Sequence, residues 1–478
     1  MPMASKKKIK ALAVGCMIDP GLLKPVAPHL DLTLLASSED IGNEHSETEV
    51  LIWNNNIALD QAIIKPLRRL KYIINWGTNP NNIHQVVRRD KRYNFFLVND
   101  YCTEAVARYG LKLMLRHIMR KADPGSLASI KVGFIGFGKI GFTLAKMLMA
   151  HGINNISYYA TENKNLDAFK FTSRQDLLEN CEFVFIVTSD PKRIPIAGLN
   201  NPKLTIINLC DNDLFSMADI DKLLLDERMA YLLSDTKPVT LKSKNAEFFG
   251  HVACITPQSI TNKHNKLVYF IRRIYMSQSD TTESLYFVRH GETEWNRDGI
   301  YQGQLDSRLT ELGIAQTQRV ASYLVGREVK YIFTSPLSRA KSSARIIGDA
   351  LGVQPRVHGF LKEQNFGKLQ GMPKKIADRQ YAGFFEGREN SEWNKLYTPY
   401  PGDGESYFDV YQRIHDPFLS LLVRLDGNAV FVGHESINRM LRGFVRDLQP
   451  AQMVNDRQAN DELISIDLAT MAETVIKL

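Results

Sequence analysis

Short β-branched runs alternate with amphipathic helical stretches on both sides of a polar, aperiodic seam, Met276-Ser277-Gln278-Ser279-Asp280-Thr281-Thr282-Glu283-Ser284. Alternation of that kind is the pattern of α/β folding, and a seam of that composition reads as a linker between two such regions. With 478 residues the chain exceeds one ordinary core, so two or three domains of about 100–200 residues each are expected. No apolar run reaches the ~18 residues that span a bilayer, and the basic cluster before the first strand lacks the marks of a secretory leader. There is no internal repeat.

The five cysteines (Cys16, Cys102, Cys181, Cys210 and Cys254) are dispersed, with no CxxC pair. They read as free thiols in a reducing, cytoplasmic setting rather than a zinc site or a disulfide framework. The net charge of +8 is uneven: residues 1–276 hold 36 Lys and Arg against 26 Asp and Glu, the remainder 24 against 26. A basic front half favours anionic ligands such as nucleotides or phosphorylated acids. Runs such as Arg88-Arg89-Asp90-Lys91-Arg92 read as solvated faces, which disfavours nucleic acid as a partner.

In the back half, three buried strands each deliver a cation at their end. Leu285-Tyr286-Phe287-Val288 leads into Arg289-His290-Gly291. Tyr331-Ile332-Phe333-Thr334 leads into Ser335-Pro336, read as a helix start that presents Arg339. Ala429-Val430-Phe431-Val432-Gly433 delivers His434, with a helix expected from about Ser436. Sites of open parallel sheets lie beyond the C-terminal ends of strands. Guanidinium forks and imidazole there suit a phosphoryl group, which needs paired donors and a nucleophile.

This segment resembles the histidine phosphatase superfamily, which includes cofactor-dependent phosphoglycerate mutases. The blocks that carry the resemblance are RHGETEWN (289–296), GQLDSRLTELG (303–313), TSPLSRA (334–340), LKEQNFGKLQG (361–371), GDGESYFDVYQRI (402–414) and VGHESINRMLRGF (432–444). Arg308 stands where many members have proline, and Glu435 where glycine is common. The resemblance implies a three-layer α/β/α domain over 285–478 with His290 as the residue that becomes phosphohistidine. It also implies that Arg289, Asn296, Arg339 and His434 hold the phosphoryl group, that Glu363 protonates the leaving oxygen, and that no metal is required. GKLQG is mutase-like, whereas YQGQLDSRLTELG and PGDGES resemble monoester phosphatases; the short stretch after His434 also favours hydrolysis over mutase chemistry. Lys362, Lys374, Lys375 and Arg379 hint at a small phosphorylated metabolite with a further negative group.

In the front half, Lys131-Val132-Gly133-Phe134-Ile135 reads as a strand, followed by Gly136-Phe137-Gly138-Lys139-Ile140-Gly141 and a helix through Met149. That is the strand–turn–helix context in which such a loop cradles a pyrophosphate. The acid expected for a ribose after Ile156-Ser157-Tyr158-Tyr159 is missing. Either Glu162 substitutes, or Lys164 favours a 2′-phosphate, or the nucleotide is bound poorly. Residues 9–274 resemble D-2-hydroxyacid dehydrogenases through WGTNPNNI (76–83), NDYCTEAVARYGLKLML (99–115), LENCEFVFIV (178–187), IINLCDND (206–213) and CITPQS (254–259).

The resemblance implies a two-lobed Rossmann-type region that binds NAD or NADP. A flavodoxin-like substrate lobe would cover 1–104 and 258–276, including a returning helix over Asn262–Met276. A nucleotide-binding domain would cover 105–257, followed by a linker, 277–284. The catalytic positions differ from the family's. Asp211 or Asn212 stands in place of the substrate-gripping arginine, Gln258 in place of the acid/base histidine, and the supporting glutamate falls near Lys237. Glutamine has no proton to exchange at neutral pH, so hydride transfer is disfavoured. The short segment between Arg120 and Ile130 also departs from the family's dimerising arm, and homo-oligomerisation stays open. The expectation is a phosphohistidine phosphatase fused to a non-catalytic dinucleotide-binding region with a regulatory or substrate-collecting role. The alternatives are a phosphoglycerate mutase-type enzyme and a bifunctional oxidoreductase–phosphatase.

Overall fold

The computed structural model describes residues 8–78, 80–120, 126–188, 190, 192–210, 214–279, 283–389 and 391–478. Eighteen strands among them form three sheets. β1 (Ile9–Val14), β2 (Leu30–Leu35), β3 (Val50–Asn54), β4 (Tyr72–Trp76) and β5 (Asn94–Leu97) lie in the order β2-β1-β3-β4-β5. β6 (Lys131–Ile135), β7 (Asn155–Tyr159), β8 (Lys170–Phe171), β9 (Phe183–Ile186), β10 (Asn201–Asn208), β11 (Met229–Ser234) and β12 (Ala246–Phe248) lie in the order β12-β11-β10-β9-β6-β7-β8. The third sheet holds β13 (Ser284–Arg289), β14 (Val329–Thr334), β15 (Pro355–Val357), β16 (Asn428–Gly433), β17 (Glu462–Asp467) and β18 (Glu473–Lys477), ordered β15-β14-β16-β13-β17-β18. The chain makes two compact units, one of Met1–Leu51, Pro66–Lys71 and His264–Leu478, the other of Ile52–Lys65 and Tyr72–Lys263.

In the first unit, period-2 alternation along β13, β14 and β16 sends successive side chains to opposite faces. Tyr286, Val288, Ile332, Val430 and Val432 meet Val320 and Leu324 of helix Glu311–Leu324 and Ala344 and Ile347 of helix Ser338–Leu351. On the other face Phe287, Phe431 and Phe333 stack in a row, centroids 5.5 and 5.2 Å apart. Phe418 of helix Tyr407–Leu422 packs edge-on to Phe431, and Phe444 of helix Glu435–Val445 packs edge-on to Phe418. Helices therefore cover both faces of a largely parallel sheet. Each phenylalanine removed from water contributes about 1.5–3 kcal/mol, and all three rings of the row are buried.

The helix expected over Asn262–Met276 runs from Pro257 to Ser277. It begins five residues earlier because proline suits a first helical turn, where its missing N–H has no partner to lose. Within the first unit, Tyr275 of this helix stacks on His29 at 3.9 Å. The Tyr269 hydroxyl donates to the Val445 carbonyl at 2.5 Å, and Lys266 Nζ pairs with Asp447 at 2.8 Å. Of the seam, Ser277 ends that helix and Ser284 opens β13, while residues 280–282 lie outside the described residues.

In the second unit β6 sits between β7 and β9, all in parallel. Val184, Ile186, Leu204 and Ile206 pack against Leu177 of helix Arg174–Asn180 and Leu223 of helix Met217–Leu225. At the end of β6, Gly136 has φ +94°, and a Cβ there would sit 2.6 Å from the Val187 carbonyl oxygen. Only glycine permits that turn. Helix Lys139–Ala150 follows at once, with Gly138 as its N-cap.

Among the described residues no helix is long and apolar enough to cross a membrane. No group of three or more His, Cys, Asp or Glu side chains among them is arranged to hold a metal ion.

Candidate active site

β13, β14 and β16 end side by side, and Arg289 and His290 at the end of β13, with Glu435 and Ser436 just past β16, line a cavity of about 330 Å³ in the first unit. Arg289 closes β13, and His290 follows it directly. The turn that aims His290 depends on Gly291, where a Cβ would lie 2.1 Å from the Gly313 carbonyl oxygen. His290 is buried, and its Nδ1 lies 2.8 Å from the Gly291 carbonyl oxygen. A carbonyl can only accept, so Nδ1 carries the proton. Nε2 then holds the lone pair, and it accepts from Arg339 Nε at 3.1 Å. Burial first, then the Arg339 and Arg289 guanidinium groups, holds the imidazole well below its ordinary pKa. The ring is therefore neutral, with its lone pair on Nε2.

Arg339 is 1% exposed. Besides His290 it donates to the Gly303 carbonyl at 2.7 Å and the Leu305 carbonyl at 2.6 Å, and it pairs with Asp306 at 3.2 Å. These bonds fix the guanidinium before any ligand arrives. The expected helix start at Ser335-Pro336 is displaced: the helix begins at Ser338 after Leu337. Ser335 is instead held by its neighbours, its hydroxyl accepting from Leu337 N–H at 3.3 Å and lying 2.8 Å from His434 Nε2. His434 is the N-cap of helix Glu435–Val445, one residue earlier than the expected helix start near Ser436. Its ring lies 5.2 Å from that of His290, and its buried Nδ1 has no hydrogen-bond partner among the described residues.

Arg289 donates from Nη1 to the Gln458 carbonyl at 2.9 Å, and its buried Nε has no partner among the described residues. Asn296 lines the same cavity; its Oδ1 accepts from the N–H and hydroxyl of Thr293, which leaves its NH₂ as a donor. Glu363, from the loop after β15, is 7% exposed, and its Oε1 accepts from Gln364 N–H at 2.7 Å. Burial pushes its carboxyl above the ordinary range, although that N–H and the Arg339 charge pull the other way. The structure thus gathers Arg289, His290, Asn296, Arg339 and Glu363 on one cavity, with His434 beside His290.

Some lining residues have no counterpart in the sequence reading. Arg388, in helix Ala382–Glu389, is 6% exposed and lies over the Tyr400 and Tyr407 rings at 4.3 and 5.2 Å. Its buried Nη1 has no partner among the described residues. Of the four surface cations singled out in the sequence, Lys374 lines the cavity and Lys362, Lys375 and Arg379 do not. Arg439 also lines it, and its spacing of four from Glu435 was a readable signal for an ion pair on one helix face. Arg388 offered none, because only the chain fold brings it there.

In the second unit, Gly136 N–H donates to the Tyr159 carbonyl at 2.9 Å, and nothing lies within 4 Å of where a Gly138 Cβ would stand. Phe137 is buried against Tyr158, centroids 4.4 Å apart, and Ile140 and Gly141 belong to the first turn of the following helix. Lys139 is paired with Asp100 at 2.6 Å. Lys164 is 7% exposed, 3.9 Å from Glu162, and burial lowers its pKa. Gln258 donates to Asn262 Oδ1 at 2.8 Å. Asp211 and Asn212 lie outside the described residues, as do Asn79 of the 76–83 segment and 121–125 of the short segment before Ile130.

Residues 285–478 match the histidine phosphatase superfamily (branch 1), and residues 110–251 match the NAD binding domain of D-isomer specific 2-hydroxyacid dehydrogenases. The chain is 32% identical over 204 residues to a 2,3-bisphosphoglycerate-dependent phosphoglycerate mutase of Rhizobium rhizogenes, covering 41% of this chain and 90% of that one. It is 44% identical over 87 residues to a putative phosphoserine phosphatase 2 of Hydrogenobacter thermophilus, 18% of this chain and 43% of that protein. A solved 2-hydroxyacid dehydrogenase from Ketogulonicigenium vulgare Y25 aligns at 16% identity and a TM-score of 0.48, over 56% of this chain and 96% of its own. The chain belongs, through residues 285–478, to the histidine phosphatase superfamily. It joins that domain to a 2-hydroxyacid dehydrogenase NAD-binding domain.

Proposed function

We propose that this protein hydrolyses a small phosphomonoester through phosphohistidine at His290. The observation that carries the reading is the pairing, on one cavity, of a neutral buried imidazole whose Nε2 is aimed by Arg339 with a buried carboxyl held toward its protonated form. His290 Nε2 forms the N–P bond as the P–O ester bond breaks, and Glu363 gives its proton to the departing alkoxide. Arg289, Arg339, Asn296 and His434 hold the three equatorial oxygens as charge spreads over them. Water then attacks phosphorus, Glu363 takes its proton, and the N–P bond breaks to release inorganic phosphate. Hydrolysis rather than mutase chemistry is supported by YQGQLDSRLTELG and PGDGES, which resemble monoester phosphatases. Arg388, with an unpartnered buried nitrogen on the cavity, supports a substrate with a second acceptor group.

For the front region we propose domain limits of 1–104 with 258–276, 105–257, and a linker 277–284, and a non-catalytic dinucleotide-binding role. The close approach at Gly136 and the open space over Gly138 fit a pyrophosphate on the helix N-terminus. When bound, NAD or NADP supplies a hydride acceptor or donor. Gln258, hydrogen-bonded to Asn262, supplies no exchangeable proton to accompany it. Five free thiols fit a cytoplasmic setting.

The test is phosphate release by the full chain from a panel of phosphomonoesters, with His290→Ala as control and NAD(P)(H) present or absent. Release that disappears in the variant supports the reading. Interconversion of phosphoglycerates without net phosphate release moves it to the mutase branch. No phosphohistidine in folded protein refutes it.

A further inference from the structure

A carboxylate stands inside the phosphate cavity and takes no part in the chemistry just described. Glu435 is the first residue of helix Glu435–Val445, directly after His434, at the position where glycine is common in the family. Its Oε1 accepts from Arg439 Nη2 at 2.6 Å. Its Oε2 faces Arg289 Nη1 at 3.7 Å, and both Arg289 and Glu435 line the cavity. Arg289 is thus shared between an internal anion and the place where a phosphoryl oxygen must bind.

Resting on the phosphatase reading, we propose that Glu435 is a positioning residue that competes with phosphate for Arg289 and so keeps the affinity for inorganic phosphate low. A dianion entering beside a fixed carboxylate meets repulsion, and the Arg289 charge it needs is already partly used. The competition acts on ground-state binding of substrate and product alike, so its removal tightens both without adding any interaction special to the transition state.

A purely structural role has a separate signature. An acid in the first turn of a helix, paired four residues on with arginine, stabilises the helix slightly. That role predicts a small change in unfolding and none in phosphate affinity. Arg439 keeps its place without Glu435, because it also donates to the Tyr407 hydroxyl at 2.6 Å and the Val454 carbonyl at 2.8 Å. Arg289 remains tied to the Gln458 carbonyl.

The experiment is calorimetric titration of inorganic phosphate into the full-length protein and its Glu435→Gln and Glu435→Asp variants, with steady-state kinetics on one phosphomonoester alongside. The expected result is a dissociation constant for phosphate about tenfold lower in Glu435→Gln, corresponding to ~1.4 kcal/mol. KM should fall with it, kcat should change less than KM, and Glu435→Asp should stay close to the parent. An unchanged or weakened phosphate affinity in folded Glu435→Gln overturns the proposal. The titration needs no turnover, so failure of the hydrolysis reading, which shows as no phosphate release by the parent protein, stays distinguishable from failure of this one.

Discussion

Replacing Glu363 with glutamine separates proton donation from every other property of that side chain. Glutamine keeps the Oε1 acceptor that receives Gln364 N–H at 2.7 Å and fills the same buried space. What is lost is the ionisable group: the transferable proton of its acid form and the charge and basicity of its ionised form. General acid catalysis contributes about 10²–10⁴-fold, or roughly 3–5 kcal/mol of barrier, when the leaving group is an alkoxide that cannot depart unprotonated. A nitrophenolate leaves without help. The assay is rapid-mix measurement of phosphoenzyme formation from an alkyl monoester and from p-nitrophenyl phosphate. With the alkyl ester the first-turnover rate should fall about 10³-fold. With the aryl ester it should fall less than about tenfold, leaving a burst of nitrophenolate followed by slow turnover, because hydrolysis of the phosphoenzyme still needs Glu363 as base. In the parent protein, burial holds the carboxyl pKa above its ordinary value, so the acid form is lost as pH rises through that raised value and the alkyl-ester rate falls with it. The variant should lack this alkaline limb. Equal losses on both esters with the limb intact would refute Glu363 as the proton donor.

Four other outcomes are expected. The imidazole of His290 is depressed by burial and two arginines, so the acid limb of kcat/KM should lie below the ordinary histidine range; a limb at or above that range in a pH profile would contradict the buried neutral ring. The same Glu363→Gln variant should unfold at higher temperature at neutral pH: a carboxyl whose folded pKa is raised contributes stability only below its unfolded value and loses it as pH rises through the folded one, which calorimetry at two pH values will show. Ser335→Ala removes the partner of His434 Nε2 in a buried place, which costs about 1–3 kcal/mol and should lower kcat/KM by about tenfold or more while His290 still forms phosphohistidine. Gly136→Ala places a Cβ 2.6 Å from a carbonyl oxygen at φ +94°, and denaturant titration should show a loss beyond the ~1 kcal/mol of a left-handed alanine alone.

Much of this protein was settled by local patterning. Period-2 apolar runs ending in Arg289-His290, in Ser335-Pro336 ahead of Arg339, and in Gly433-His434 specify three strands whose C-terminal ends carry the cations, because side-chain alternation and burial belong to the strand itself. The loop Gly136–Gly141 was equally legible, since a left-handed turn followed at once by a helix needs glycine wherever it occurs. What no local rule contained is how the distant pieces meet. The helix after β14 starts at Ser338, and the Ser335 hydroxyl that was expected to open it meets His434, 99 residues away. The Gly291 carbonyl next door leaves the lone pair on His290 Nε2, but the arginine that meets that nitrogen, Arg339, reaches it across 49 residues, and the pKa values of His290 and Glu363 depend on burial that exists only once the sheet and its helices close. Arg388 reaches the cavity through packing over Tyr400 and Tyr407, and Glu435 becomes a rival for phosphate only where β13 and β16 place Arg289 beside it. Sequence fixes backbone preference over a few residues; burial and charge proximity are properties of the assembled fold, and they decide protonation and affinity.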